Sequence, residues 1–198
     1  MRQKLSSILA AGLLGGAMLG GTINASADPA GAMVGNPCAG CHGIDGASQG
    51  QAPVIAGLNT MYLDMTMKAY RDGQRYATIM DRIAKGYTDE QIAAMSKFFG
   101  DKSWPANTQS VDADAAAKGQ KLHMSTGCVG CHGQTGVAMM PNVPRLAGQY
   151  AGFLNQQMLD YKDAGKAIPP TAMVMRSMLS GLSDEDIAAL AAFYASQK

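Results

Sequence analysis

No stretch of the chain alternates apolar and polar residues for long, which excludes a substantial β-sheet. Charge of either sign is in no excess: 16 Lys and Arg stand against 15 Asp and Glu. The balance is local as well, with 7 basic and 8 acidic side chains over residues 28–106 and 7 of each over 107–198. A nucleic-acid-binding surface would need a basic bias, and none exists. The Gly-x-Gly-x-x-Gly fingerprint of a dinucleotide-binding turn is missing, so a flavin or nicotinamide domain is not expected on this chain. Cysteine is limited to four residues and histidine to three. All four cysteines fall in two short motifs, which leaves none for a separate redox disulfide.

What is present is the pentapeptide Cys-X-X-Cys-His, written at Cys38–His42 and again at Cys128–His132. Two thiols three positions apart can each add to one vinyl group of a porphyrin, and the next histidine then lies under the iron. This is the attachment signature of c-type haem, and its repetition implies two covalent haem c groups. Three other readings are weaker. A zinc ribbon brings its Cys pairs within roughly 15 to 20 residues, whereas these copies begin 90 apart. A thioredoxin-like pair needs a preceding strand and no histidine, and two disulfides would not explain a histidine after both pairs.

Arg2 and Lys4 precede an apolar, glycine-rich run from Leu5 to Gly21, followed by the small residues Ala25-Ser26-Ala27. This pattern predicts a secretory signal peptide over residues 1–27, cleaved after Ala27, with the mature protein in the periplasm and not inserted in the membrane. Cleavage would take Lys and Arg from 16 to 14 and the formal charge from +1 to −1. A retained anchor is the alternative, although the run is rich in Gly and Ala and ends in a cleavage site.

The rest reads as two copies of one helical unit. Each runs from the haem motif through a Gly-rich loop, a proline and amphipathic segments to a methionine and a closing helix. A period of about 90 residues suits a duplicated domain better than a solenoid. The expected domains are 28–103 and 112–198, joined by a polar linker over 104–111 that opens with Trp104-Pro105. Tyr62, Leu63, Met65, Thr66, Ala69 and Tyr70 share one helix face. Closing helices are predicted after Thr88, with Gln91 at the capping-box position, and after Ser183. Acidic residues in both first turns suit the helix dipole.

A haem iron held by one histidine keeps an open position, which a methionine sulfur fills in many electron-transfer cytochromes. The closing helices supply a register for finding it. Seven residues before Tyr87 stands Met80, and seven before Leu182 stands Met175. These lie 38 and 43 residues beyond His42 and His132, enough chain to reach the opposite porphyrin face. Met173 and Met178 compete with Met175. Met61, Met65, Met67, Met95 and Met158 read as flexible packing around a large flat cofactor. His123, the one histidine outside the motifs, reads as a packing or surface residue rather than a ligand. Pro53 and Pro144, 11 and 12 residues after the motif histidines, resemble in position the residues whose carbonyl accepts the second histidine N–H in class I cytochromes c, and could instead simply stiffen a loop. Arg75, Arg82 and Arg145 are candidate partners for haem propionates, although each taken alone reads first as a solvated arginine.

Leu146-Ala147-Gly148-Gln149-Tyr150 and Leu182–Ile187 before Ala191–Ser196 resemble the soluble two-domain dihaem cytochromes c. The resemblance implies an all-α fold of two tandem class I cytochrome c-like domains. Thr78–Tyr87, Trp104-Pro105-Ala106 with Gln109, and Gly119–His123 more closely resemble the cytochrome subunit of flavocytochrome c sulfide dehydrogenase. Ile55-Ala56-Gly57-Leu58 leans the same way, whereas the second half keeps the general Leu-Ala-Gly-Gln pattern. The closer resemblance implies an FAD-containing sulfide dehydrogenase flavoprotein as partner, which oxidises sulfide, and a downstream electron acceptor. This chain would then be an electron-transfer subunit with no catalytic residue of its own. The alternatives are a free dihaem carrier delivering electrons to a terminal oxidase, and a peroxidase with an open iron, which methionine at both Met80 and Met175 argues against.

Overall fold

The computed structural model describes residues 29–50, 52–106 and 109–198. The expected signal peptide, residues 1–27, lies outside the described residues. Among those described there is no strand, and no helix is long and apolar enough to cross a membrane. The first half carries α1 (Pro29–Gly35), α2 (Ala39–His42), α3 (Thr60–Arg71), α4 (Met80–Ile83) and α5 (Asp89–Gly100). The second repeats the plan with α6 (Ala113–Ser125), α7 (Val129–His132), α8 (Ala151–Lys162), α9 (Met173–Leu179) and α10 (Asp184–Ser196).

Local chemistry sets the ends of these helices. Thr88 Oγ1 accepts from the Gln91 backbone N–H at 3.3 Å and Gln91 Oε1 accepts from Thr88 N–H at 3.0 Å, closing a capping box on α5. Ser183 and Asp186 make the same exchange at the start of α10. Asn59 caps α3 and Asp112 caps α6 through their side-chain oxygens. Each such cap is worth about 1 kcal/mol, so both helices of each pair start where the sequence says they must.

In each half the first and last helices cross, α1 on α5 and α6 on α10. The crossings are made at glycine. A Cβ built on Gly31 would lie 2.8 Å from the Ala94 carbonyl oxygen and 3.0 Å from Phe98 Cβ. One on Gly119 would overlap the Ala189 carbonyl oxygen and lie 2.8 Å from Phe193 Cβ. Ala94 and Ala189, like Phe98 and Phe193, are 95 residues apart, so the two crossings are copies of one contact.

Behind the crossings sit two cores, Leu58, Leu63, Phe98 and Phe99 in the first half and Leu154, Leu179, Leu190 and Phe193 among others in the second. Met95 and Met158 are buried, as packing residues should be. Met61 is not: it is 50% exposed. The inward stripe of α3 is Leu63, Ala69 and Tyr70, and at about 100° per residue Met61 faces the other side.

Gly119→Ala should destabilise the second domain by about 1–3 kcal/mol through overpacking. Gly152→Ala, on an exposed helical position with nothing within 4 Å, should instead stabilise by about 0.5–1 kcal/mol. Thermal unfolding of the two variants checks the pair, and a Gly119→Ala protein as stable as the parent would refute the close crossing.

Candidate functional site

Both motifs fold as single helical turns. Cys38 precedes α2 and Cys128 precedes α7, each as the N-cap, so the second thiol of each pair follows one turn later on the same side. All four thiols are free, the first of each pair half-buried and the second exposed. The histidine closing each turn is buried. Glycine ends the helix directly after it: Gly43 and Gly133 have φ of 75° and 68°. A Cβ there would also lie 2.6 and 2.5 Å from the Ala47 and Val137 carbonyl oxygens.

Burial lowers the pKa of both imidazoles. For His42 the Pro53 carbonyl partly opposes the effect. For His132 burial dominates, opposed by the Pro144 carbonyl and reinforced by His123, and brings the value to about 4. Both rings are therefore neutral near pH 7, the form that donates a nitrogen lone pair to a metal. His42 Nδ1 lies 2.8 Å from the Pro53 carbonyl oxygen, which can only accept, so Nδ1 carries the proton and Nε2 is left free. His132 differs. The Pro144 carbonyl acts on its ring, but Nδ1 has no partner within hydrogen-bonding geometry.

Met80 opens α4 and is half-buried. Met175 is half-buried in α9 and packs on the second core. Its neighbours Met173 and Met178 are 52% and 38% exposed. His123 is fully buried; its Nε2 donates to the Gly133 carbonyl at 2.7 Å, and its Nδ1 lies 2.9 Å from the Tyr194 hydroxyl. In the neutral ring that hydroxyl is the donor. His123 thus ties the turn after His132 to α10, a link that no sequence pattern announced.

The arginines separate into three kinds. Arg82 is exposed. Arg145 is half-buried over the Trp104 ring at 4.8 Å and donates from Nε to the Ala147 carbonyl. Arg75 is only 3% exposed, which overturns the solvated reading for it. Its guanidinium donates to Tyr62 Oη at 3.3 Å, Thr66 Oγ1 at 3.2 Å and, in the other half, Gln157 Oε1 at 2.6 Å. It lies over the rings of Tyr70 and Tyr161. No carboxylate is among these partners, and Nε is buried without one.

Other contacts join the halves. Gln149 exchanges two hydrogen bonds with the Val54 backbone, and Tyr150 Oη donates to the Ser48 carbonyl at 2.8 Å. Tyr76 N–H donates to the Ala167 carbonyl at 2.8 Å, beside Lys166 stacked over the Tyr76 ring.

Among the described residues, no three His, Cys, Asp or Glu side chains converge on a bare ion. The zinc reading therefore lacks a ligand set. The residues do fit a haem in each half, with paired thiols for the vinyls and a neutral buried imidazole for the iron, and between the halves Arg75 offers a deeply buried guanidinium with no carboxylate among its partners.

The cytochrome c family model matches residues 30–101 and 116–198, and the chain belongs to that family. More narrowly, it is a dihaem electron-transfer cytochrome of the c4 type, carrying two covalently attached haem c groups. It is 29% identical to cytochrome c4 of Pseudomonas aeruginosa over 198 aligned positions, spanning 96% of this chain and 95% of that one. The crystal structure of reduced recombinant cytochrome c4 from Pseudomonas stutzeri superposes with a TM-score of 0.77 at 25% identity, over 87% of this chain and 98% of that one. The thiosulfate dehydrogenase electron acceptor of Thiomonas intermedia is 28% identical, over 81% of this chain and 78% of its own. The cytochrome subunit of sulfide dehydrogenase from Chlorobaculum tepidum is 42% identical over 66 residues, which is 33% of this chain and 60% of that one.

Tyr194→Phe removes the hydroxyl facing His123 Nδ1 and leaves that buried nitrogen unpaired. The expected loss is about 1–3 kcal/mol, read by denaturant unfolding of the second domain. An unchanged midpoint would mean that the tether to Gly133 stands without Tyr194.

Proposed function

We propose that this is a periplasmic electron acceptor for a dehydrogenase of reduced sulfur compounds, with the FAD-containing flavoprotein of sulfide dehydrogenase as first candidate partner. The reading rests on two relatives taken together. The chain is 42% identical to a cytochrome subunit of sulfide dehydrogenase over 66 residues, and a relative matched over most of the chain is an electron acceptor of thiosulfate dehydrogenase. Both donors are reduced sulfur compounds. The flavoprotein would supply the flavin and redox disulfide that this chain has no residues to build, and a downstream acceptor would take the electrons onward.

Within the chain, Cys38, Cys41, Cys128 and Cys131 hold the two haems as thioethers. His42 and Met80 ligate the first iron, and His132 and Met175 the second. When bound, each haem supplies one iron that takes up and releases a single electron. The protein's part is to keep each imidazole neutral and oriented, and to exclude water. The half-buried setting of Met175, against its exposed neighbours, supports it over Met173 and Met178. A sulfur ligand on both irons leaves no position for a peroxide, so the chain is not itself the catalyst. The proposed domains run over 28–103 and 112–198, with 104–111 between them and residues 1–27 removed on export.

Similarity along the whole chain to cytochrome c4 favours a second reading, a free carrier delivering electrons to a terminal oxidase. Purification from the native periplasm distinguishes the two. A stable complex with a flavoprotein, in which added sulfide reduces the haems rapidly, is the expected result; a solitary dihaem protein reduced no faster than free haem supports the carrier. Met80→Ala and Met175→Ala should each abolish one sulfur-to-iron charge-transfer band and lower one haem's potential, because methionine ligation raises it. Spectra and potentials unchanged in either variant would discard that ligand.

A further inference from the structure

The two halves differ at one position that bears on the first haem ligand. Gly57 and Gly148 are equivalent: φ is +69° and +72°, and each N–H donates to the carbonyl of the matching aromatic on the closing helix, Phe99 or Tyr194, at 2.8 and 2.9 Å. The next residues are Leu58 and Gln149. Leu58 turns into its own core beside Leu63 and Phe99. Gln149 is 3% exposed and reaches into the other domain. Its Oε1 accepts from Val54 N–H at 3.0 Å and from Tyr150 N–H at 3.1 Å, and its Nε2 donates to the Val54 carbonyl at 2.9 Å.

Val54 N–H and the Pro53 carbonyl are the two ends of one peptide group. Gln149 therefore accepts at one end of the peptide whose other end accepts from His42 Nδ1. Withdrawing the N–H toward an acceptor polarises the amide and makes its oxygen a stronger acceptor. Fixing the peptide plane also holds that oxygen in line with the ring. For the second haem the residue at the equivalent place is Leu58 of the first half, which has no amide to offer, and the Pro144 carbonyl acts on His132 from outside hydrogen-bonding geometry.

We infer that Gln149 is a positioning residue for the first haem, acting from the second domain through the Pro53–Val54 peptide on His42. The inference rests on ligation of the irons by His42 and His132. A hydrogen-bonded imidazole is a more basic ligand and favours the ferric iron. Gln149 therefore holds the potential of the first haem below the value that haem would have without it, and the effect is one-sided because Leu58 offers the second haem no such amide.

The test follows each haem separately by its hyperfine-shifted methyl resonances through a potentiometric titration of the dihaem protein. In Gln149→Leu the equilibrium constant for electron transfer from first haem to second should fall about threefold to tenfold, the size of one lost hydrogen bond, with the shift confined to the first haem. Gln149→Glu keeps an acceptor for Val54 N–H, and its first haem should remain at or below the parent potential. The inference is overturned if Gln149→Leu leaves the constant unchanged, if both haems move together, or if Gln149→Glu follows Gln149→Leu. Failure of the underlying ligation is a different result: the parent protein would lack an iron-bound imidazole signal from His42 or His132.

Discussion

Each domain depends on a near contact between two helix backbones. Where α6 meets α10, a glycine faces a carbonyl oxygen with no room for a methyl group, and the first half repeats the crossing at Gly31. The contact sets the rest of the site. The helix that enters the crossing leads into the thiols and the histidine, and in the second half the helix that leaves it carries Tyr194, whose ring centre lies 6.5 Å from that of His132. In the second half the connection is explicit, since Tyr194 on α10 holds His123 on α6, and His123 holds the carbonyl of the residue after His132. Loosening the crossing would therefore disturb the imidazole before it disturbed the surface.

Duplication explains the shape of the interface, and divergence explains its chemistry. Tyr76 and Ala167 are equivalent residues that bond to each other, the expected pattern at an axis relating two copies. On either side stand Arg75 and Lys166, again equivalent, each with its cation over a ring of the other domain. Lys166 has a carboxylate, Asp160, at 2.7 Å. Arg75 has none, because Ala69 occupies the place of Asp160. A guanidinium held this deeply without a counter-charge bears a desolvation cost of several kcal/mol. Stacking on Tyr70 and Tyr161 recovers only part of that, at about 2 kcal/mol per desolvated contact. Hydrogen bonds to Tyr62, Thr66 and Gln157 recover more, and none of these partners carries a formal charge.

The helices and their caps were legible in the sequence because their causes are local. Thr88 with Gln91 and Ser183 before three acidic residues need no knowledge of the rest of the chain. The duplicated all-α fold followed from the repeat, and the Pro53 carbonyl from the resemblance to class I cytochromes c. What could not be read depends on contacts across the molecule. His123 looked like a residue of packing or surface, and its role in pinning Gly133 depends on a tyrosine 71 positions away. Arg75 looked as solvated as any arginine until α8 was placed against it. Gln149 stood inside a family pattern, and the pattern said nothing of Val54. Met61 misled for the opposite reason, since a methionine in an amphipathic helix is packing only if it lies on the inward face.

On the proposed reading, the inequality of the halves has a chemical use. Oxidation of sulfide or a related sulfur compound releases electrons in pairs, whereas each haem iron accepts one. Two equal sites would hold the pair but give neither electron a preferred exit. A chain whose first imidazole is held through a neighbour's amide and whose second has only Leu58 at the matching place has two unequal sites, and the difference is made in the interface that duplication created. Neither domain alone contains it: the clamp on His42 belongs to residue 149, and the peptide it holds belongs to residues 53 and 54. Fusing two copies into one chain thus does more than double the number of haems, because it lets one copy tune the ligand of the other.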